Sequence, residues 1–155
     1  ACPYARVTRL KNKLKIKVNL RTNSFFQAVE RQIKIFPKEK KDLIIVADPN
    51  VDDVTPYCIQ YFVDTRNIAL QDENLYLMCF HPGSPATVEE HAFLADNDWD
   101  SSKVEPYMMI FMQELKLLQD ASSQLKRQGY YKNWPMDYYN EVVTPRQKLK
   151  PNIRR

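Results

Sequence analysis

A strict alternation of apolar and polar residues near the N-terminus predicts a first β-strand. Residues 13–20 read Lys-Leu-Lys-Ile-Lys-Val-Asn-Leu, so four aliphatic side chains share one face and three lysines and an asparagine share the other. A period of two is typical of a half-buried strand, and lysines along a strand also protect a sheet edge from unwanted pairing. We therefore expect a strand whose aliphatic face packs against the core.

Two later segments are apolar almost throughout and predict two covered strands. Residues 43–47 read Leu-Ile-Ile-Val-Ala and are closed by an Asp-Pro-Asn turn, while residues 75–80 run into a His-Pro-Gly turn. Short apolar runs between turn residues suit strands that are covered on both faces.

Three segments have helical spacing. The first follows possible capping residues at 22–24 and ends at Pro37. The second begins at residues 55–56, a threonine cap followed by proline at the first helical position. The third begins at Pro106 and ends before Gly129, a residue type favoured just past a helix. Its apolar stripe is Met108, Phe111, Leu115, Leu118 and Leu125.

The order strand–helix–strand–helix–strand–loop–helix predicts an α/β fold. Right-handed crossovers would make a small, mostly parallel three-stranded sheet covered by helices. We expect residues 1–128 to form this single α/β domain. Residues 129–155 are expected to form an extended C-terminal arm.

The arm combines aromatic rings with basic residues. Residues 145–155 hold five bases, two prolines and no acid. Aromatic and arginine side chains are favoured at protein interfaces, so we expect the arm to pack on a neighbouring subunit or on its own domain. Stacking on single-stranded RNA is an alternative. The predicted partner-binding residues are Tyr130, Tyr131, Trp134, Tyr138, Tyr139, Arg146, Lys148, Lys150, Arg154 and Arg155.

Composition excludes several classes of protein. The chain has only two glycines, so neither glycine-rich phosphate-binding fingerprint is possible, and we expect no cofactor. Three cysteines without a C-x-x-C pair argue against a disulfide framework or a zinc ribbon and favour a reducing compartment. No apolar run is long enough to span a membrane.

Charge is strongly segregated along the chain. Residues 48–105 hold twelve acids and two bases, whereas the remaining residues hold 21 bases and 7 acids. One interpretation is that the basic flanks fold back over the acidic middle. The other is that they contact an anionic partner, such as RNA, anionic lipid or an acidic subunit.

His81 and Cys2 are the candidates for chemistry. His81 follows a buried strand, so it could act as an acid, a base or a ligand, or it could bond to turn carbonyls in a structural role. Cys2 could be a nucleophile paired with His81, or a small apolar residue at a chain end. The acidic residues at 96, 98 and 100 lack the glycine and terminal glutamate of a calcium loop, so we assign no metal.

Four short motifs resemble a mostly bacterial family, domain of unknown function family 1415, which has no settled activity. They are Cys2-Pro3-Tyr4-Ala5, residues 43–49, Phe80-His81-Pro82, and Pro106-Tyr107 leading to Glu114. Their order and rough spacing agree with the family over about residues 2–120.

This chain departs from the family pattern at three places. Asp48 stands where the family tends to have histidine, the turn at residues 83–86 differs, and an acidic stretch precedes the last helix. The resemblance therefore implies an enzyme-like domain with a depleted polar pocket, in which Cys2 and His81 remain. It also implies that residues 129–155 are an addition.

Our first hypothesis is a non-catalytic accessory subunit of a large assembly, docked through the C-terminal arm and the basic N-terminal strand. The chain begins with Ala1 and has a basic flank, which we interpret as a processed or trimmed product. This favours an organellar respiratory complex or ribosome, on the mitochondrial matrix side. The alternatives are a small enzyme using Cys2 and His81, and an RNA-contacting protein.

Overall fold

The structure of the chain, a computed structural model, describes residues 3–20, 24–83 and 107–151. These ranges contain four strands and six α-helices, which confirms the α/β class. In chain order they are α1 (Pro3–Leu10), β1 (Leu14–Val18), α2 (Phe25–Ile35), β2 (Leu43–Asp48), α3 (Pro56–Leu70), β3 (Leu75–Phe80), β4 (Met108–Glu114), α4 (Leu115–Arg127), α5 (Met136–Val142) and α6 (Thr144–Lys148).

The sheet has the strand order β1-β2-β4-β3. Only the β1–β2 pair is parallel, since β4 lies between β2 and β3 and runs antiparallel to both. The prediction of a mostly parallel, three-stranded sheet is therefore wrong. The sheet is mixed and has four strands because the chain returns through its middle after β3.

Strand β4 occupies residues that the helical stripe had assigned to a helix. Met108, Ile110 and Met112 are fully buried against the main core, so the segment has a period of two. Phe111 and Leu115 also fit a helical spacing from Met108. Because nearly every residue of this segment is apolar, its sequence agrees with the period of a strand and with that of a helix. The helix begins only at Leu115, where the chain leaves the sheet.

Both predicted N-terminal caps are confirmed. The Ser24 hydroxyl accepts a hydrogen bond from the Gln27 N–H at 3.3 Å, and Thr55 does the same for Cys58 at 3.2 Å. Each side chain satisfies an amide that has no partner inside its helix. Helix α3 then continues to Leu70.

Gly129 ends α4 as predicted. Its φ of 77° lies in the left-handed region, which glycine adopts at no steric cost. The Tyr130 N–H donates to the Leu125 carbonyl at 3.0 Å, and the Gly129 N–H donates to the Lys126 carbonyl at 3.1 Å. This pair of bonds satisfies the last carbonyls of the helix.

The segment after Gly129 is not extended. Residues 136–142 and 144–148 are helical, and α6 packs against α4. The Gln119 side chain on α4 donates to the Arg146 carbonyl at 2.7 Å and to the Leu149 carbonyl at 2.9 Å. The expected extended conformation is therefore wrong for these residues, because their apolar side chains pack on the domain.

The two faces of the sheet are covered differently. Helices α2 and α3 pack on one face, where Ile44, Val46 and Leu77 join the main core. On the other face a small cluster joins Tyr76 to Leu115 and Leu118. Successive residues of a strand point to opposite faces, which separates the two clusters.

Candidate functional site

His81 uses both ring nitrogens to hold a turn. Its Nε2 lies 2.7 Å from the Val54 carbonyl and 3.1 Å from the Val51 carbonyl, while Nδ1 accepts from the Gly83 N–H at 2.9 Å. In this arrangement Nδ1 is an acceptor and Nε2 is the donor to the carbonyls. The side chain is 7% exposed. The geometry is that of a structural histidine whose nitrogens already have backbone partners.

The structure does not bring together a cysteine and His81 within the ranges it describes. Cys2 lies outside the described residues. Cys79 contacts Gln60, and burial, followed by the charge of Asp64, raises the pKa of its thiol to about 11. Cys79 is therefore protonated at neutral pH and is a poor nucleophile.

Residues 3–20, 24–83 and 107–151 contain neither a metal-binding cluster nor a membrane-spanning helix. No group of three metal-ligating side chains occurs there. No helix in the same ranges is long and apolar enough to cross a membrane. The acidic positions 96, 98 and 100 lie outside the described residues.

The five aromatic residues after Gly129 pack against one another. Ring centroids are 4.8 Å apart for Tyr131 and Trp134, 4.9 Å for Trp134 and Tyr138, and 5.3 Å for Tyr131 and Tyr139. The Lys126 ammonium of α4 lies 5.4 Å from the Tyr139 ring centroid. The rings are half-buried in this cluster, so part of each remains available to another molecule.

The predicted basic residues have different surroundings. Lys148 and Lys150 are exposed, whereas Arg146 is only 6% exposed. Arg154 and Arg155 lie outside the described residues. Lys148 borders a polar groove of about 370 Å³ between α4 and the C-terminal helices.

Arg146 is a buried cation without a carboxylate partner in the described chain. Its Nη1 lies 3.5 Å from the Met78 sulfur, and its Nε has no hydrogen-bond acceptor among described atoms. Burial raises the pKa of Tyr76, and the nearby charge of Arg146 partly opposes this rise. Burying a charge without an oppositely charged partner costs free energy, so Arg146 is expected to destabilise the folded state.

Apolar residues lie in rows across the second face of the sheet. Ile16, Ile45, Phe111 and Met78 are successive partners from β1 to β3. Val18, Ala47, Met109 and Phe80 form the next row. The cluster of Tyr76, Leu115 and Leu118 extends to Met78, and Ala47 is buried, but the other six residues of these two rows are half-buried or exposed. We call the two rows the open apolar face.

The exposure of β1 reverses the expectation from its alternation. Ile16 is 59% exposed and Val18 is 46% exposed, so the aliphatic side of the strand does not lie in the core. On the opposite side, just after β1, the Asn19 side chain donates to the buried Asp48 at 2.6 Å. Residues 14–18 do form a strand, but none of them is buried, so the prediction of a half-buried strand with its aliphatic face in the core is wrong.

The two edges of the sheet also differ. At the β3 edge, the Asn67 side chain donates to the Leu77 carbonyl at 3.0 Å and accepts from the Leu77 N–H at 2.8 Å. The helix α3 thereby occupies backbone groups that a further strand would need. Sequence reasoning missed Asn67, since nothing local distinguishes an asparagine on this helix.

The β1 edge is open in the described chain. The Lys13 carbonyl accepts from the Leu43 N–H, and the Asn19 N–H donates to the Ala47 carbonyl. Alternate residues of a parallel pair bond to the neighbouring strand. The backbone groups of Leu14, Ile16 and Val18 therefore point away from β2.

A second groove, which is apolar, lies between α2 and α3. It measures about 400 Å³ and is lined by Phe26, Tyr57, Cys58, Tyr61, Phe62, Thr65 and Arg66. The apolar sequence around Cys58 predicts a core residue, but Cys58 is exposed here. The groove has no polar constellation that points to a particular ligand.

Comparisons with protein-family models, with curated proteins and with solved structures found no match to this chain.

Proposed function

We propose that this protein is a non-catalytic subunit that binds another protein through the open apolar face and the neighbouring C-terminal segment. The observation that supports this most strongly is the exposure of Ile16 and Val18 next to further half-exposed apolar side chains. Contiguous apolar surface on a folded protein is typical of interaction sites.

The geometry of His81 adds to this proposal. A catalytic base needs a nitrogen that can reach the substrate proton, and both nitrogens of His81 contact backbone groups of its own turn. The enzyme alternative would have to displace these contacts. The organellar setting, in a respiratory complex or a ribosome, stays a prediction, as does the resemblance to the uncharacterised family.

The C-terminal segment supplies the second part of the surface. The half-buried rings of Trp134 and Tyr138 combine apolar area with polar atoms, as interface residues often do. Arg146 and Met78 connect this segment to the open apolar face, because they are in contact. One partner could therefore cover the C-terminal segment and the open apolar face together.

The test is the native mass of the complex formed by the full chain in a gentle extract of its own cells. The double variant Ile16→Thr, Val18→Thr should lower the fraction in a high-mass complex at least tenfold. Threonine keeps the β-branched shape that strands favour, so strand formation is preserved. The control Ile68→Thr changes another exposed aliphatic residue, on α3, and should leave the mass unchanged.

The salt dependence of the complex separates docking from RNA contact. Binding dominated by phosphate contacts weakens steeply with salt, whereas burial of apolar surface does not. A complex that survives nuclease and moderate salt but is lost in the double variant agrees with the proposal. A wild-type chain that remains monomeric would overturn it.

A further inference from the structure

We infer that the open edge of β1 binds an extended segment of a partner protein, which adds a fifth strand, and that this segment alternates acidic and aliphatic residues. The inference rests on the proposed function and specifies the chemistry of the partner. An exposed sheet edge binds such a segment through backbone hydrogen bonds, and alternate side chains give specificity.

The availability of backbone groups selects β1 over β3. Leu14, Ile16 and Val18 direct their N–H and C=O groups outward, as the bonds of Lys13 and Asn19 to β2 require. At the other edge, Asn67 already occupies the central backbone groups of Leu77. A fifth strand therefore has room at one edge only of the sheet as described.

The side chains of β1 specify the two faces of the added strand. On the aliphatic side, Ile16 and Val18 are largely exposed. Aliphatic residues on the neighbouring added strand would bury part of their apolar surface. On the lysine side, Lys17 is exposed and forms no ion pair with any described carboxylate. Opposite charges across neighbouring strands are favourable, so the facing residue should be acidic.

The other two lysines of this side, Lys13 and Lys15, have carboxylate partners within the chain but remain partly exposed. Lys13 lies 3.9 Å from Asp42, and Lys15 pairs with Glu39. Both ion pairs retain solvent exposure and contribute little on their own. A strand that alternates carboxylates with aliphatic residues would complement this whole edge.

A second copy of this chain is a poor occupant of the edge. Pairing two β1 strands in register sets lysines beside lysines, and like charges directly opposite are destabilising. A shift of one residue moves the lysines of the added strand onto the aliphatic face. The charge pattern therefore disfavours self-pairing while it favours an acidic strand.

The test uses the full chain and a labelled peptide of sequence Glu-Val-Glu-Val-Glu-Val-Glu with blocked ends. One control peptide replaces every glutamate by lysine, and another has the same composition with the valines clustered. Fluorescence anisotropy should show at least tenfold tighter binding of the alternating acidic peptide than of either control. In the variant Lys17→Glu, the preference between the acidic and lysine peptides should shrink at least fivefold.

Amide hydrogen exchange supplies the second readout. The peptide should slow exchange at Leu14, Ile16 and Val18, and the control peptides should not. Equal affinity for all three peptides, or no protection at these amides, would overturn the inference. Slow exchange without peptide, or a dimer of the purified chain, would show that something else occupies the edge and would overturn it too.

The two proposals fail in distinguishable ways. If the double variant at Ile16 and Val18 dissolves the native complex while the peptide protects no β1 amide, docking stands and strand addition is wrong. If the native chain forms no complex but the edge binds the acidic peptide with the expected selectivity, strand addition stands and the subunit proposal is wrong.

Discussion

The side chain of Asn67 hydrogen-bonds to both backbone groups of Leu77, at 2.8 Å to its N–H and 3.0 Å to its carbonyl. An asparagine amide has the same donor and acceptor arrangement as a peptide group, so it substitutes for a neighbouring strand. Both residues are buried, and water has little access to this pair. One residue on α3 therefore anchors the helix and occupies the backbone groups of Leu77 at the centre of this edge.

Replacing Asn67 with alanine should destabilise the protein by about 2 kcal/mol or more, because two buried backbone groups lose their partners. Asn67→Asp should also destabilise it, since a carboxylate can accept from the Leu77 N–H but cannot donate to the carbonyl. Urea unfolding measures both effects. The control is Gln71→Ala, whose exposed amide bonds to Ile68 and should cost less than about 0.5 kcal/mol. Equal losses in both positions would contradict this role for Asn67.

The sequence predicts the fold well where the signal is local. The caps at Ser24 and Thr55 and the left-handed Gly129 each depend on neighbouring residues, and all three are as expected. Strand β4 was missed because Met108, Phe111 and Leu115 fit a helical period, while only pairing with distant β2 and β3 selects the strand. Tertiary context decides such ambiguous apolar runs.

The candidate site was less accessible to sequence reasoning. The alternation in a strand predicts that its two faces differ, but it does not predict which face packs against the core. In β1 the aliphatic side is exposed because α2 and α3 pack on the other face of the sheet. The burial of Arg146 and the role of Asn67 likewise depend on residues that are distant in the chain.

Arg146→Met should leave the protein as stable as the wild type or more stable, by up to about 3 kcal/mol. The guanidinium is buried beside Met78 without a described carboxylate, and an apolar side chain of similar length avoids its desolvation cost. The hydrogen bond from Gln119 goes to the backbone carbonyl and survives the change. A loss of more than about 1 kcal/mol in urea unfolding would contradict this and show that the cation has a favourable partner.

Cys79 and Cys58 should differ in their reactivity. Burial raises the pKa of the Cys79 thiol to about 11 from its ordinary value of 9.0, whereas Cys58 is exposed. At pH 8, iodoacetamide should label Cys58 much faster than Cys79, as peptide mass analysis will show. Comparable labelling of both thiols in the folded protein would refute the assignment.

The same shift in the pKa of Cys79 predicts a dependence of stability on pH. A folded pKa above the unfolded value means that the contribution is complete below about pH 9 and is lost as pH rises through about 11. Cys79→Ala should flatten the alkaline decline in the free energy of unfolding, and Cys58→Ser should not.

Deletion of residues 129–155 should lower the melting temperature of the protein and should also weaken its binding to a partner. Val143 is fully buried and Leu149 packs on the cluster of Tyr76, Leu115 and Leu118, so the deletion exposes apolar surface of the domain. Trp134→Ala removes part of the aromatic cluster and leaves these contacts in place. Thermal unfolding should therefore separate the two variants, with the larger decrease in the deletion. An unchanged melting temperature after deletion would mean that the segment does not stabilise the domain.

The aliphatic side of β1 should matter little for folding, even though it is rich in apolar surface. Ile16 is 59% exposed and Ile44 on the adjacent strand is fully buried, so the pair compares the two sides of the sheet. Ile16→Thr should change the free energy of unfolding by less than about 0.5 kcal/mol, as an exposed substitution does. Ile44→Thr should cost about 3 kcal/mol, because it removes buried methyl groups and places a hydroxyl in the core. Urea unfolding of both variants decides the matter. Similar losses would show that Ile16 is part of the core, whereas the expected contrast would show that folding does not require an aliphatic residue at this position.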